Sequence, residues 1–278
     1  MDHPRLTAFL AAAVPDPGHT VVGLDFDGTL APIMADPDDS RPVPGTLDVL
    51  GRLGAAGVTV VLVTGRSPEV AARLAGLTGG GLPAGARGLV VHGHYGLQSW
   101  SAADGSLTST VDERSTAAVA RVREQLPRVL ADLGAPDGVV VEDKDVSLVV
   151  HTRRAADPQG SLDALAPALT ALATDAGLEV QPGRFVCEIR PGGVDKGDTL
   201  TAVLDRLGAV AALYAGDDLG DLPAWSALAA ARRRGTTTVG LASGQGGTPA
   251  QVEAAADLVV DGPAGVLAVL RQLADALD

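Results

Sequence analysis

The chain has 278 residues, enough for a full hydrophobic core and for two domains. Hydrophobic residues make up 46% of it and aromatics only 3%, so Ala, Val and Leu must fill that core. A formal net charge of −13 argues against a nucleic-acid or anionic-membrane surface, and the single cysteine, Cys187, excludes an internal disulfide and suits a reducing compartment.

The opening M-D-H-P-R-L lacks a basic segment leading into a long apolar run, and no uncharged apolar run reaches bilayer length. No secretory signal and no membrane partner are expected, and the location expected is cytoplasmic. The overall negative charge does not argue against a phosphorylated small molecule, because a local patch of cation and metal overrides the global field.

Residues 21–24, V-V-G-L, form a short apolar run of the kind that makes a buried strand. Asp25 and Asp27 follow, and Gly28-Thr29 then breaks the strand into a turn. Beyond a strand end a turn can bring both acids to one point, where they repel unless a hard divalent cation such as Mg²⁺ neutralises them. Turn chemistry alone also favours Asp at a strand end, and this stretch by itself leaves the two readings even.

An acidic, proline-rich loop comes next. A helix is expected from about Thr46, with Leu47, Leu50 and Leu53 on one face and Gly54 and Gly57 at its end. A second buried strand over 58–63 stops at Thr64-Gly65-Arg66. Ser67-Pro68 then gives an N-cap with proline at the first helical position. A third strand is expected over 89–91, leading into G-H-Y-G-L-Q-S-W. Strand and helix in alternation predict an α/β fold with a Rossmann-like parallel sheet.

Near Leu107 the rhythm changes. The pattern predicts a strand, a long helix through Val119, Val122 and Leu126, strands at 138–142 and 146–152, a helix over 161–176, and strands at 178–181 and 185–190. That is a βαββαββ block, an inserted α+β domain expected over 108–191 between core segments 1–107 and 192–278. The α/β rhythm then resumes with helix 196–207, strand 211–215, helix 222–232, strands 237–241 and 257–260, and a last helix over 263–277.

Open α/β sheets bind ligands beyond the carboxyl ends of their strands. The first strand end carries Asp25 and Asp27; the second carries Thr64, a hydroxyl with neighbouring amides suited to a phosphate oxygen. Lys196 opens a helix, where the helix dipole disfavours a cation unless both face an anion. The strand ending Y-A-G delivers Asp217, Asp218 and Asp221. Each alone has a plain structural explanation as turn, surface lysine or helix cap. In this order, each on its own strand end or helix start, they make a nucleophile, a metal site and a phosphate cradle.

The ordered set resembles the haloacid dehalogenase superfamily of phosphotransferases: D-F-D-G-T-L is similar to its first motif, Thr64 to its second, Lys196 to its third, and G-D-D-x-x-D from Gly216 to Asp221 to its fourth. The superfamily places a C2-type cap between Arg66 and Lys196. The resemblance implies that Asp25 attacks phosphorus to give an aspartyl-phosphate, and that Asp27 protonates the leaving oxygen and then activates water. By it Mg²⁺ is held by the Asp25 carboxylate, the Asp27 main-chain carbonyl and Asp217, with Asp218 and Asp221 orienting its waters. Thr64, Gly65 and Lys196 bind the transferring oxygens.

In the inserted block, strand periodicity puts Glu142 with Lys144, His151 with Arg153, and Glu188 with Arg190 on shared faces. Alternating charge is also what a solvated lid sheet carries. V-E-x-K, V-x-H-x-R and E-I-R-P followed by K-G narrow the resemblance to the trehalose-6-phosphate phosphatase family. That likeness implies a sugar phosphate, trehalose 6-phosphate, as the partner, with Arg66, Glu142, Lys144, Arg153 and Glu188 binding substrate. No nucleic-acid partner is expected, and a monomer is favoured.

The chain departs from the family's pattern at Gly220 and Leu222 in the fourth motif and at Tyr95 and Gln98 in the G-H-Y-G-L-Q turn, which bears on sugar contacts and cap docking. His92, His94 and His151 carry no metal-ligand spacing. Two rivals accompany this reading. One is another capped phosphatase, for sucrose phosphate or mannosyl-3-phosphoglycerate; the other is a non-catalytic phosphoacceptor of the receiver type.

Overall fold

The N-terminal segment, to which the sequence pattern assigns no element, is a helix, α1 (Pro4–Ala13), with proline in its first turn and Leu6, Phe9 and Ala13 buried along one face. In the computed structural model, which describes residues 3–79, 81–183, 185–244 and 248–278, it is followed by β1 (Thr20–Leu24), α2 (Thr46–Ala55), β2 (Thr59–Val63), α3 (Pro68–Leu74), β3 (Val90–Gly93), β4 (Gln98–Ser101) and β5 (Leu107–Ser109). Next come α4 (Glu113–Asp132), β6 (Val140–Asp143), β7 (Leu148–His151), α5 (Pro158–Ala176), β8 (Glu179–Gly183) and β9 (Val186–Arg190). The chain ends with α6 (Lys196–Leu207), β10 (Ala211–Gly216), α7 (Leu222–Arg233), β11 (Thr237–Gly244), α8 (Ala250–Ala255), β12 (Leu258–Asp261) and α9 (Gly262–Leu277).

These elements divide into two units, Met1–Ser109 with Val194–Asp278, and Thr110–Gly193. The first holds an eight-stranded sheet in the order β12-β11-β10-β1-β2-β3-β4-β5. β12 through β3 run parallel, and only β4 and β5 are antiparallel. The α/β fold class expected from the sequence is the one observed. β1 and β10 are buried on both faces, as a parallel sheet between two helix layers requires. Val22, Leu24, Leu62 and Leu213 pack with residues of α1, α2, α3 and α9. Val21, Val61, Val63 and Tyr214 pack on the other side with residues of α6, α7 and α8. Each such Val or Leu contributes about 1.5–3 kcal/mol by leaving water.

The second unit is a four-stranded antiparallel sheet, β6-β7-β9-β8, whose Leu148, Val150, Cys187 and Ile189 pack with α4 and α5. Asp112 caps α4 by accepting from the Ser115 amide at 2.7 Å, and Asp157 caps α5 by accepting from Gly160 at 3.0 Å.

One expectation is corrected, and one strand escapes the sequence pattern. The strand at 107 does not belong to the inserted block: Leu107 pairs opposite Trp100 of β4, so β5 is the edge of the large sheet and the block is αββαββ. β4 itself, Q-S-W-S, is mostly polar and gives no apolar run to read. Among the described residues, no helix is long and apolar enough to cross a membrane.

Candidate active site

From β1 the next strands, β2 and β3, are added on one side, and from β10 the next, β11 and β12, on the other, so the strand order reverses between β1 and β10. A crevice at the carboxyl ends opens at such a point. Asp25 lies there, one residue beyond β1, its amide still in the ladder with Ala215 O at 2.9 Å and its side chain buried.

Lys196 is the first residue of α6, fixed by the reciprocal cap between Asp195 and Asp198. Its ammonium is buried, 2.9 Å from Asp25 Oδ1 and 2.8 Å from Asp221 Oδ1. Burial opposes charge on this lysine, but Asp221 and Asp25 outweigh it and hold the ammonium well above the ordinary lysine range. Burial pushes Asp25 up to about 7 even with Lys196 beside it. Burial and then repulsion from Asp25 and Asp221 push Asp217 up to about 10.

Asp25, Asp217 and Asp221 each offer a carboxylate oxygen within 4.8 Å of the others. Three carboxylates at close range, two of them forced toward the neutral form, fit a hard divalent cation with oxygen ligands, whose charge would reverse those shifts. Asp221 differs from the other two. Its Oδ1 accepts from Lys196 and from the Tyr214 hydroxyl at 2.6 Å, and its Oδ2 from the amides of Asp217 at 2.9 Å and Asp218 at 3.1 Å. A carboxylate offers about four lone-pair sites, so Asp221 is filled by protein donors and organises its neighbours. Asp218 accepts from the Gly220 amide at 2.8 Å and forms a reciprocal cap with Asp221.

Asp27 sits in the turn after β1 and is gripped by Arg66, from Nε to Oδ2 at 2.6 Å and from Nη2 to Oδ1 at 2.7 Å. The intervening Gly28 has φ +74°, and a Cβ there would stand 2.0 Å from Asp217 Oδ2, so only glycine lets the two loops close together. Ser243, at the end of β11, donates to Gly28 O at 2.5 Å and pins that turn from a third strand. Thr64 is buried just past β2, and the Tyr95 ring lies over Gly65 so closely that a Cβ at 65 would meet it at 2.9 Å. The sequence pattern alone does not single out Tyr214 or Ser243. A tyrosine in an apolar strand reads as core, and a serine at a strand end reads as turn.

In the Thr110–Gly193 unit, register puts Glu142, Val149, Glu188 and Gln181 in one row across the sheet. Glu188 is buried and accepts from the Ser147 hydroxyl at 2.6 Å, with Lys144 Nζ 3.9 Å from its other oxygen. Glu142 pairs with His151 Nε2 at 2.9 Å. Lys144 lies beyond the end of β6, and Arg153, exposed, lies beyond the end of β7, so these two are not on strand faces.

A family model, Trehalose-phosphatase, matches residues 23–255. The trehalose-phosphate phosphatase of Mycolicibacterium paratuberculosis is 34% identical over 267 residues, covering 94% of this chain and 63% of that protein. That of Mycobacterium tuberculosis is 34% identical over 207 residues, 72% of this chain and 49% of the relative. The chain thus spans less than two thirds of the length of the relatives it matches. Among solved structures, the C-terminal domain of the C. albicans trehalose-6-phosphate phosphatase superposes with a TM-score of 0.74 at 19% identity, covering 98% of this chain and 95% of that one. The Aspergillus fumigatus trehalose-6-phosphate phosphatase gives 0.67 at 19%, covering 99% and 98%. A haloacid dehalogenase-like hydrolase from Bacteroides thetaiotaomicron gives 0.61 at 16%, covering 92% and 99%. At such identities these structures speak for the fold; the matched family model and the curated relatives speak for descent, and by them this chain belongs to the trehalose-phosphatase family.

Proposed function

We propose that the chain is a Mg²⁺-dependent phosphatase that hydrolyses trehalose 6-phosphate to trehalose and phosphate. The observation that carries this reading is the buried Asp25 carboxylate at the end of β1, 2.9 Å from the Lys196 ammonium and grouped with Asp217. A receiver-type phosphoacceptor has no use for a second acid two residues on; here Asp27 has its own cationic partner.

Asp25 would attack phosphorus and form an aspartyl-phosphate as the bond to the sugar oxygen breaks, with Asp27 supplying the proton to that oxygen. Lys196, Thr64 and the Gly65 amide would hold the transferring oxygens, where positioned charge does most of the catalysis. Asp25, Asp217 and the main chain of Asp27 would hold Mg²⁺, which supplies positive charge against that developing on phosphate. Asp221 would keep Lys196 and the Asp217–Asp218 backbone in place around it.

The Thr110–Gly193 unit would recognise the sugar, through Glu142, Lys144 and Glu188, with Arg153 a further contact. A cytoplasmic location and a monomer complete the reading. Phosphate release from trehalose 6-phosphate, sucrose phosphate, mannosyl-3-phosphoglycerate and an aryl phosphate tests it. Trehalose 6-phosphate should be preferred and Asp25→Asn inactive; a preference for another sugar removes the substrate assignment, and parental activity in Asp25→Asn removes the mechanism.

A further inference from the structure

Resemblance alone casts Arg66 as a substrate contact, but its Nε and Nη2 are engaged within the protein. Nε and Nη2 take both oxygens of Asp27 at 2.6 and 2.7 Å. The same Nη2 donates to Pro37 O at 2.9 Å and lies 3.4 Å from Ser40 Oγ. The backbone at Arg66 is fixed as well, its amide donating to Thr64 Oγ1 at 3.2 Å. The guanidinium stacks 5.7 Å from the centroid of the Phe26 ring, and the side chain is only 16% exposed. A forked arginine–carboxylate pair is among the strongest and most directional of side-chain contacts. Asp27 is itself 35% exposed in a turn, so it depends on that fork for a fixed direction.

We propose that Arg66 is a positioning residue that acts through Asp27 in the hydrolysis of the aspartyl-phosphate, and that it does not bind substrate. The inference rests on the reading of Asp27 as the acid–base residue. In the step concerned, the oxygen of water bonds to phosphorus as the bond from phosphorus to the Asp25 oxygen breaks. The water's proton passes to Asp27, Asp25 regains its carboxylate, and inorganic phosphate leaves. A carboxylate forked to a guanidinium is held in one direction, which is what taking a proton from a placed water needs. Arg66 also ties that aim to the 37–40 loop through Pro37 and Ser40, so loop and base move as one piece.

The test uses the full chain with Mg²⁺ and p-nitrophenyl phosphate, whose phenolate leaves without a proton. kcat/KM then reports formation of the phosphoenzyme, and kcat reports its hydrolysis. Arg66→Gln should lower kcat by about 10- to 100-fold and KM in proportion, leave kcat/KM within about 3-fold, and raise the acid-trapped phosphoenzyme fraction. Arg66→Lys, which keeps the charge and loses the fork, should show the same split in smaller measure. A raised KM at unchanged kcat would make Arg66 a substrate contact; equal losses in kcat and kcat/KM would make the fork a support for the fold. Full recovery by lysine would show that charge suffices without direction. Each of these three results overturns the proposal. Asp27→Asn separates it from its premise. Slow phosphoenzyme hydrolysis in Asp27→Asn with a normal Arg66→Gln sinks the proposal alone, whereas parental hydrolysis in Asp27→Asn sinks both.

Discussion

Gly216 and Asp221 approach so closely that a Cβ on the glycine would stand 2.2 Å from the carboxylate carbon. This contact lets Asp221 fold back under the end of β10 and accept the Asp217 and Asp218 amides. Gly216→Ala should therefore displace the carboxylate and cost roughly 2–4 kcal/mol, a strain well beyond ordinary overpacking because the neighbour is held on four sides. Urea unfolding measures it, and a cost below about 1 kcal/mol would mean that the loop relaxes freely.

Asp221→Ala removes the acceptor from Lys196, Tyr214 and two amides in a fully buried place. Breaking one partner from a buried charged network costs about 3–5 kcal/mol, since Tyr214 and the two amides lose this acceptor and Lys196 is left with Asp25. The loss should appear in urea midpoints both with and without Mg²⁺. A residue whose only task were to hold metal would show its effect in Mg²⁺ alone.

The strand-end residues were legible because each follows an apolar run short enough to be a parallel strand: Asp25 after V-V-G-L, Thr64 after the 59–63 run, Asp217 after Y-A-G. What hides is partnership across the chain. Arg66 and Asp27 are 39 residues apart and meet only because β1 and β2 lie side by side. Tyr214 faces the α6–α7 layer and looks like core until its hydroxyl is seen on Asp221. α1 buries only three helically spaced apolar positions, Leu6, Phe9 and Ala13, and α8 is too short to show a period. In the inserted unit, strand phase placed Glu188 correctly on β9, but Lys144 and Arg153 fall past strand ends, where phase no longer applies.

The buried acids make stability depend on pH and metal with a definite sign. Asp25 and Asp217 are raised from 3.8 to about 7 and about 10, so the folded chain holds their protons more tightly than the unfolded one. Their contribution is complete below about pH 4 and is lost as pH rises through 7 toward 10. Without divalent metal, Tm should fall between pH 5 and pH 9 more steeply in the parent than in Asp217→Asn. Mg²⁺ should raise the parental Tm increasingly toward high pH. Parallel profiles for parent and variant would contradict this.

Glu188 offers the sharpest test of sugar recognition, because its burial beside Ser147 and Lys144 fixes where its oxygens point. Alanine there would take the acceptor from Ser147 and the carboxylate from beside Lys144, and confuse recognition with folding. Glu188→Gln keeps the shape and an oxygen for Ser147 while removing the charge and one acceptor. A site built to hydrogen-bond hydroxyls discriminates steeply when one partner is altered, because the remaining polar groups are left unmatched. Turnover of trehalose 6-phosphate should fall by about 10²-fold in kcat/KM, while p-nitrophenyl phosphate, which has no hydroxyls to recognise, should stay within about 3-fold. Equal losses on both substrates would move Glu188 from recognition to support of the sheet, and no loss on either would take it out of the reaction.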